Sequence, residues 1–225
     1  MMLASASAEI PQHVATTPVP RDGEPWWVKR HAEKVEVTKK GGVDLAFLGD
    51  SITQGWEGQP PVWEKYFASL KAANFGFSGD RTEHVLWRLA NGELVGLSPK
   101  LIVIMIGTNN LGHNSSNPRQ TADGVKAIVS TLREKVPGAK ILLLGIFPRD
   151  EKPDGAKRKE VAEATALFKD AADGKEVHFL DIGSTFLGAD GVASKEVMPD
   201  FLHLSTKGYE LWAETIAPKV KELMQ

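Results

Sequence analysis

Five short apolar runs recur along this chain, at residues 43–48, 73–77, 101–106, 141–146 and 177–180, each apolar at nearly every position instead of at alternate ones. That pattern is the mark of strands buried on both faces, and the runs are too short for helices of ordinary length. Helical periodicity occupies the stretches around them, near 26–37, 62–70, 83–94, 119–136, 156–172 and 206–224. Strands that alternate with helices cannot be joined by tight hairpins, so the spacing predicts an α/β fold: a central five-stranded parallel sheet covered by helices on both sides. A chain of 225 residues suits one such domain, able to bury ~70% of its unfolded surface.

Ligands of such sheets bind beyond the carboxyl ends of the strands, so the polar residues that follow each run carry the functional argument. The first run is followed by Gly49-Asp50-Ser51, the second by Ser78-Gly79-Asp80 and the third by Gly107-Thr108-Asn109-Asn110. After the fifth comes a longer excursion with Asp200-Phe201-Leu202-His203. A serine hydroxyl becomes a useful nucleophile when a base lies within hydrogen-bond reach and a third group orients that base. His203 and Asp200, three residues apart, are suited to those two tasks beside Ser51. Each residue alone also has a plain reading, as a turn serine, a surface aspartate and a histidine ahead of the last helix. Negative charge built on an attacked carbonyl needs donors. Candidates are the backbone N–H groups of Ser51 and Gly79 and the side-chain amide of Asn109, although Gly79 also fits a turn and Asn109 a cap. Of the other histidines, His13, His31, His84 and His178 read as structural, and His113 is the rival base. A base that must be neutral to accept a proton makes activity fall in acid.

Composition narrows the field. A net charge of −2 offers no basic field for phosphate backbones, so nucleic acid is not an expected partner. The absence of cysteine removes disulfides, thiolate metal sites and a cysteine nucleophile. No run reaches ~18 apolar residues, so no membrane-spanning helix is expected. Residues 1–25 read as an N-terminal arm, Pro-rich and aperiodic over 10–25, serving packing and not chemistry; residues 26–225 read as the domain. The Ala-x-Ala pattern in 1–9 resembles the end of a secretory signal. The pattern therefore points towards a secreted or periplasmic protein with a signal remnant, and a cytoplasmic protein with a plain start stays open as the alternative.

The order Gly49-Asp50-Ser51-Ile52, Gly79, Gly107-Thr108-Asn109 and Asp200 to His203 resembles the SGNH (GDSL-type) hydrolase superfamily. The stretches NFGFSGDRTEHVLWRLANGEL, GIFPRDEKP and DFLHLS are especially similar to the catalytic subunits of platelet-activating-factor acetylhydrolases and their bacterial esterase relatives. The resemblance implies a flavodoxin-like three-layer α/β/α sandwich and a serine esterase working through an acyl-enzyme. It assigns Ser51, Asp200 and His203 as triad and Ser51, Gly79 and Asn109 as oxyanion hole. It also implies a small acyl pocket closed by Ile52, Thr108 and Leu202, with no metal or organic cofactor. The front of the chain, with Trp26, Trp27 and Trp56, departs from the animal proteins and points towards acetyl esters of small molecules or carbohydrates; exposed indoles suit sugar faces, while at least four of the six tryptophans are expected to pack in the core. A lysophospholipase or thioesterase of the same superfamily and a non-catalytic carbohydrate-binding module stay open as alternatives, as does a homodimer.

Overall fold

The computed structural model describes residues 10–225, so the Ala-x-Ala segment lies outside the described residues. The five apolar runs form β1 (Leu45–Gly49), β2 (Ala72–Gly76), β3 (Leu101–Met105), β4 (Lys140–Leu144) and β5 (Val177–Leu180). Every pair is parallel, and the order across the sheet is β2-β1-β3-β4-β5. This is the flavodoxin-like order, in which the winding direction reverses between β1 and β3 and opens a crevice at their carboxyl ends. The register sets Gly49 level with both Gly76 and Met105. The loops that follow β1, β2 and β3 therefore leave the sheet side by side.

Alternate strand residues point to opposite faces and build two cores. Ala46, Leu48, Ile102, Ile104, Ile141 and Leu143 lie under α4 (Thr82–Ala90), α6 (Pro118–Lys135) and α7 (Ala156–Phe168). Leu45, Phe47, Val103, Met105, Leu142 and Leu144 face α3 (Pro60–Phe67) and α8 (Thr206–Leu223). The second core is aromatic: Trp212 of α8 packs against Trp56 at 4.9 Å and Phe147 at 4.9 Å between ring centres. Trp27, Trp56 and Trp212 are fully buried, Trp63 and Trp87 half-buried against Phe47 and Trp27, and Trp26 is 41% exposed. No helix among the described residues is long and apolar enough to cross a membrane.

The arm is fastened to the sandwich. Residues 14–16 form one turn against α4 and α6, with Ala15 fully buried and its carbonyl accepting a 2.8 Å hydrogen bond from Thr82 Oγ1. Helix α1 (Pro25–Lys40) starts at a proline, which suits a first turn whose N–H groups have no helical partner, and runs three residues past the expected 37 before Gly41 closes it at φ 72°. Two very short helices, α2 (Ser51–Gln54) and α5 (Thr108–Gly112), have too few residues to show a period. Both begin at the sheet's carboxyl edge, where the candidate residues sit.

Candidate active site

Strand β1 ends at Gly49, where a side chain would fall onto Thr53 Oγ1 and the Met105 carbonyl; only glycine lets the chain turn there into α2. Asp50 caps that helix, its Oδ1 accepting from the Ile52 amide at 3.0 Å. Burial raises the Asp50 pKa to about 7 against the pull of the Ile52 hydrogen bond. Tyr209 of α8 donates to the Ile52 carbonyl at 2.6 Å. Cap and tether together fix Ser51, the first residue of α2, at the rim.

Ser51 Oγ lies 3.0 Å from His203 Nε2, across 152 residues of sequence. His203 Nδ1 in turn lies 2.7 Å from Asp200 Oδ2, while Asp200 Oδ1 accepts from the backbone amides of His203 at 2.7 Å and Leu202 at 3.0 Å. Phe201 adopts a left-handed conformation, φ 59°, which tightens this turn enough for one carboxylate to meet both backbone and ring. Partial burial pushes the Asp200 pKa up, but the hydrogen bonds and charge of His203 outweigh it and hold the carboxyl below its ordinary value. The turn is anchored from the β4 side: the Asp150 amide donates to the Phe201 carbonyl at 3.1 Å. Arg158 holds the Arg149, Asp150 and Gly191 carbonyls at 2.7, 2.5 and 3.0 Å. The side chains of His203 and Asp200 are 46% and 55% exposed, so the site is open to solvent.

Gly79 sits in a turn at φ 76°, a conformation that favours glycine. Asn109 Nδ2 donates to the Asp80 carbonyl at 2.9 Å and has a second N–H to offer. Asp80, fully buried, ties this region together: its carboxylate accepts from Arg21 Nη1 at 2.9 Å, Trp27 Nε1 at 2.8 Å and Arg88 Nε at 2.8 Å. Burial raises its pKa while Arg88, Trp27 and Arg21 pull the other way. Arg88 also pairs with buried Glu93. Arg149 Nη1 donates to the Thr108 carbonyl at 3.0 Å and to its hydroxyl at 3.2 Å. Ile52 and Thr108 are each only 1% exposed, and Leu202 is half-buried.

The structure thus brings Ser51, His203 and Asp200 into one hydrogen-bonded line and joins Gly79 to Asn109 through Asp80. The imidazole that meets Ser51 is that of His203; His113 ends α5, and burial followed by the nearby arginines lowers its pKa. His84, lowered to about 3 by burial and Arg81, accepts from the Arg81 amide at 3.0 Å. The sequence places Asp80 at the strand edge without disclosing a role for it, and Arg88 and Arg21 are not among the residues it singles out. One signal for Arg88 was available: it lies three residues after Val85 and one before Leu89, on the inward face of α4. Arg21 carried no such signal. Among the described residues, no three His, Asp or Glu side chains are gathered as metal ligands.

The profile of the GDSL-like Lipase/Acylhydrolase family matches residues 47–211. The chain is 39% identical over 188 residues to the human platelet-activating factor acetylhydrolase IB subunit alpha1, covering 83% of this chain and 79% of that protein. Its fold matches a GDSL-like lipase from Bacteroides thetaiotaomicron, with TM-score 0.70, 21% identity and coverage of 86% and 97% of the two chains. It also matches a carbohydrate acetylesterase from Sinorhizobium meliloti, with TM-score 0.61, 21% identity and coverage of 80% and 99%. A parallel sandwich with this edge, among these relatives, defines a carboxylic ester hydrolase. The chain belongs to the GDSL-like lipase/acylhydrolase family.

Proposed function

We propose that this hydrolase removes short acyl groups, acetyl foremost, from small-molecule or carbohydrate esters, with Ser51 as nucleophile, His203 as base and Asp200 as its orienting partner. The observation that carries the reading is the unbroken line from Ser51 Oγ through His203, at 3.0 and 2.7 Å, to Asp200. His203 Nε2 takes the serine proton as Oγ bonds to the ester carbon. The oxyanion receives hydrogen bonds from the amides of Ser51 and Gly79 and from Asn109. Collapse breaks the bond to the alcohol oxygen, which leaves with the proton from His203. Water, deprotonated by the same imidazole, then attacks the acyl-serine and frees the acid and Ser51. Asp200 keeps the proton on Nδ1 and stabilises the imidazolium.

Three features support a short acyl group. Ile52 and Thr108, beside two of the donors, are packed to 1% exposure, so the floor next to Ser51 is closed. Half-buried Leu202 stands beside His203 on the other side of the nucleophile, in keeping with the small acyl pocket that the resemblance implies. The human relative is itself an acetylhydrolase. A carbohydrate alcohol is supported by the sugar-esterase neighbour and by exposed Trp26. The test is release of p-nitrophenol from acetate, butyrate and octanoate esters, and of acetate from acetylated xylooligosaccharide, by wild type and Ser51→Ala. Acetate should be preferred and the variant, folded by circular dichroism, inactive. Preference for octanoate would instead favour a lysophospholipase or thioesterase, and sugar binding without acetate release a binding module.

A further inference from the structure

We infer that Arg21, in the arm ahead of the first helix, is a positioning residue that locks the Ser78–Gly79 peptide with its N–H aimed at the oxyanion. This rests on the oxyanion role proposed above for Gly79. Residues 77–80 form a β-turn closed by the Asp80 amide on the Phe77 carbonyl at 3.1 Å, with Gly79 third at φ 76°, the signature of a type II turn. A type I turn closes with the same hydrogen bond but has its central peptide flipped by roughly 180°. That central peptide contains the Ser78 carbonyl and the Gly79 N–H, which in a planar trans unit point in opposite directions. Whatever fixes the carbonyl therefore fixes the N–H.

Arg21 Nη1 donates to the Ser78 carbonyl at 2.6 Å and to Asp80 Oδ1 at 2.9 Å, 57 and 59 residues away in sequence. The guanidinium thus grips the turn on both sides of Gly79. Its own direction is set by Glu24, which accepts from Nε at 3.0 Å and Nη2 at 2.8 Å, and by the ring of Trp26, 5.2 Å below. The side chain is 16% exposed, and a Cβ on Gly79 would stand 3.1 and 3.2 Å from its two Nη atoms. A charged donor on the carbonyl also polarises the peptide and makes its N–H a stronger donor. Without Arg21 the peptide is free to flip, and one oxyanion donor turns away.

The test compares p-nitrophenyl acetate with its thionoester, whose sulfur accepts hydrogen bonds poorly, in wild type, Arg21→Ala, Arg21→Lys and Asn109→Ala. Loss of one oxyanion donor costs about 10²–10³ in kcat, so Arg21→Ala, which loosens a donor, should lower ester kcat by roughly 10–100-fold with KM little changed. The thionoester rate should fall far less, and the acid limb of the pH profile should not move. Arg21→Lys, which keeps a charged donor for Ser78, should recover much of the loss. Ester kcat at the wild-type level in Arg21→Ala, or equal loss on ester and thionoester, overturns the assignment while Asn109→Ala remains selectively slow on the ester. If Asn109→Ala also keeps wild-type rates, the oxyanion reading itself fails and the Arg21 assignment with it.

Discussion

At the scale of single residues, the chemistry depends on how few contacts separate a weak alcohol from a charged acceptor. Ser51 reaches Asp200 through one imidazole, and in the proposed mechanism Asn109 offers its second amide hydrogen to the oxyanion. Removing that donor by Asn109→Ala should lower kcat by about 10²–10³, equivalent to ~2.7–4 kcal/mol of transition-state stabilisation, and should lower the melting temperature, because the buried Asp80 carbonyl loses its hydrogen bond at a cost of about 1–3 kcal/mol. Steady-state rates and a thermal melt check both halves. His203 must be unprotonated to accept from Ser51, whereas Asp200 is held below the ordinary carboxylate range and stays charged as the imidazole titrates. The acid limb of the kcat/KM profile should therefore have the slope of one proton; a two-proton slope would put the carboxylate's ionisation in question. These residues were legible in the sequence because block order and chemical type announce them. The roles of Arg21 and Asp80 were not, because they depend on contacts 53 to 59 residues apart or on burial that no local pattern encodes.

At the scale of elements, the five strands and six long helices follow from apolar periodicity with boundaries shifted by a few residues. Helices α2 and α5, four and five residues long, are too short to carry a period and are set by capping and by the strand that precedes them. Loops are specified in the same local way. Ahead of β5, the Asp173 carboxylate accepts from the amides of Val177, Lys175 and Glu176 at 2.9, 2.8 and 2.8 Å. These bonds, led by Val177, draw its pKa down to about 2. The folded state thus holds the charged form more tightly than the unfolded chain, whose carboxylate titrates near ~3.9. The stabilisation is present above about pH 4 and is lost as pH falls towards 2. Urea unfolding of wild type and Asp173→Ala should show the variant less stable at pH 7, with the gap closing below pH 3. A gap that does not depend on pH would contradict this.

At the scale of the molecule, one buried cation joins the layers. Arg88 of α4 pairs with Asp80 and Glu93 and reaches the Phe75 and Gly49 carbonyls at the ends of β2 and β1. Through Asp80 the same network takes in Trp27 of α1 and Arg21 of the arm. Arg88→Met would leave two carboxylates buried without their shared partner, and breaking buried pairs in this way costs on the order of 3–5 kcal/mol; a shift of the urea midpoint measures it. The three-layer architecture was legible from the alternation of runs and helices, but the reach of the arm into the site was not, since its aperiodic sequence reads only as packing. The central claim is that Ser51, activated by His203, is the nucleophile. Its most direct test is covalent labelling with a fluorophosphonate, read by mass spectrometry of the peptide containing Ser51 in wild type, Ser51→Ala and His203→Ala. One adduct on Ser51 in wild type, absent from Ser51→Ala and strongly slowed in His203→Ala, is the expected result. An active wild-type enzyme that is labelled elsewhere, or a His203→Ala protein labelled at the wild-type rate, would contradict the account.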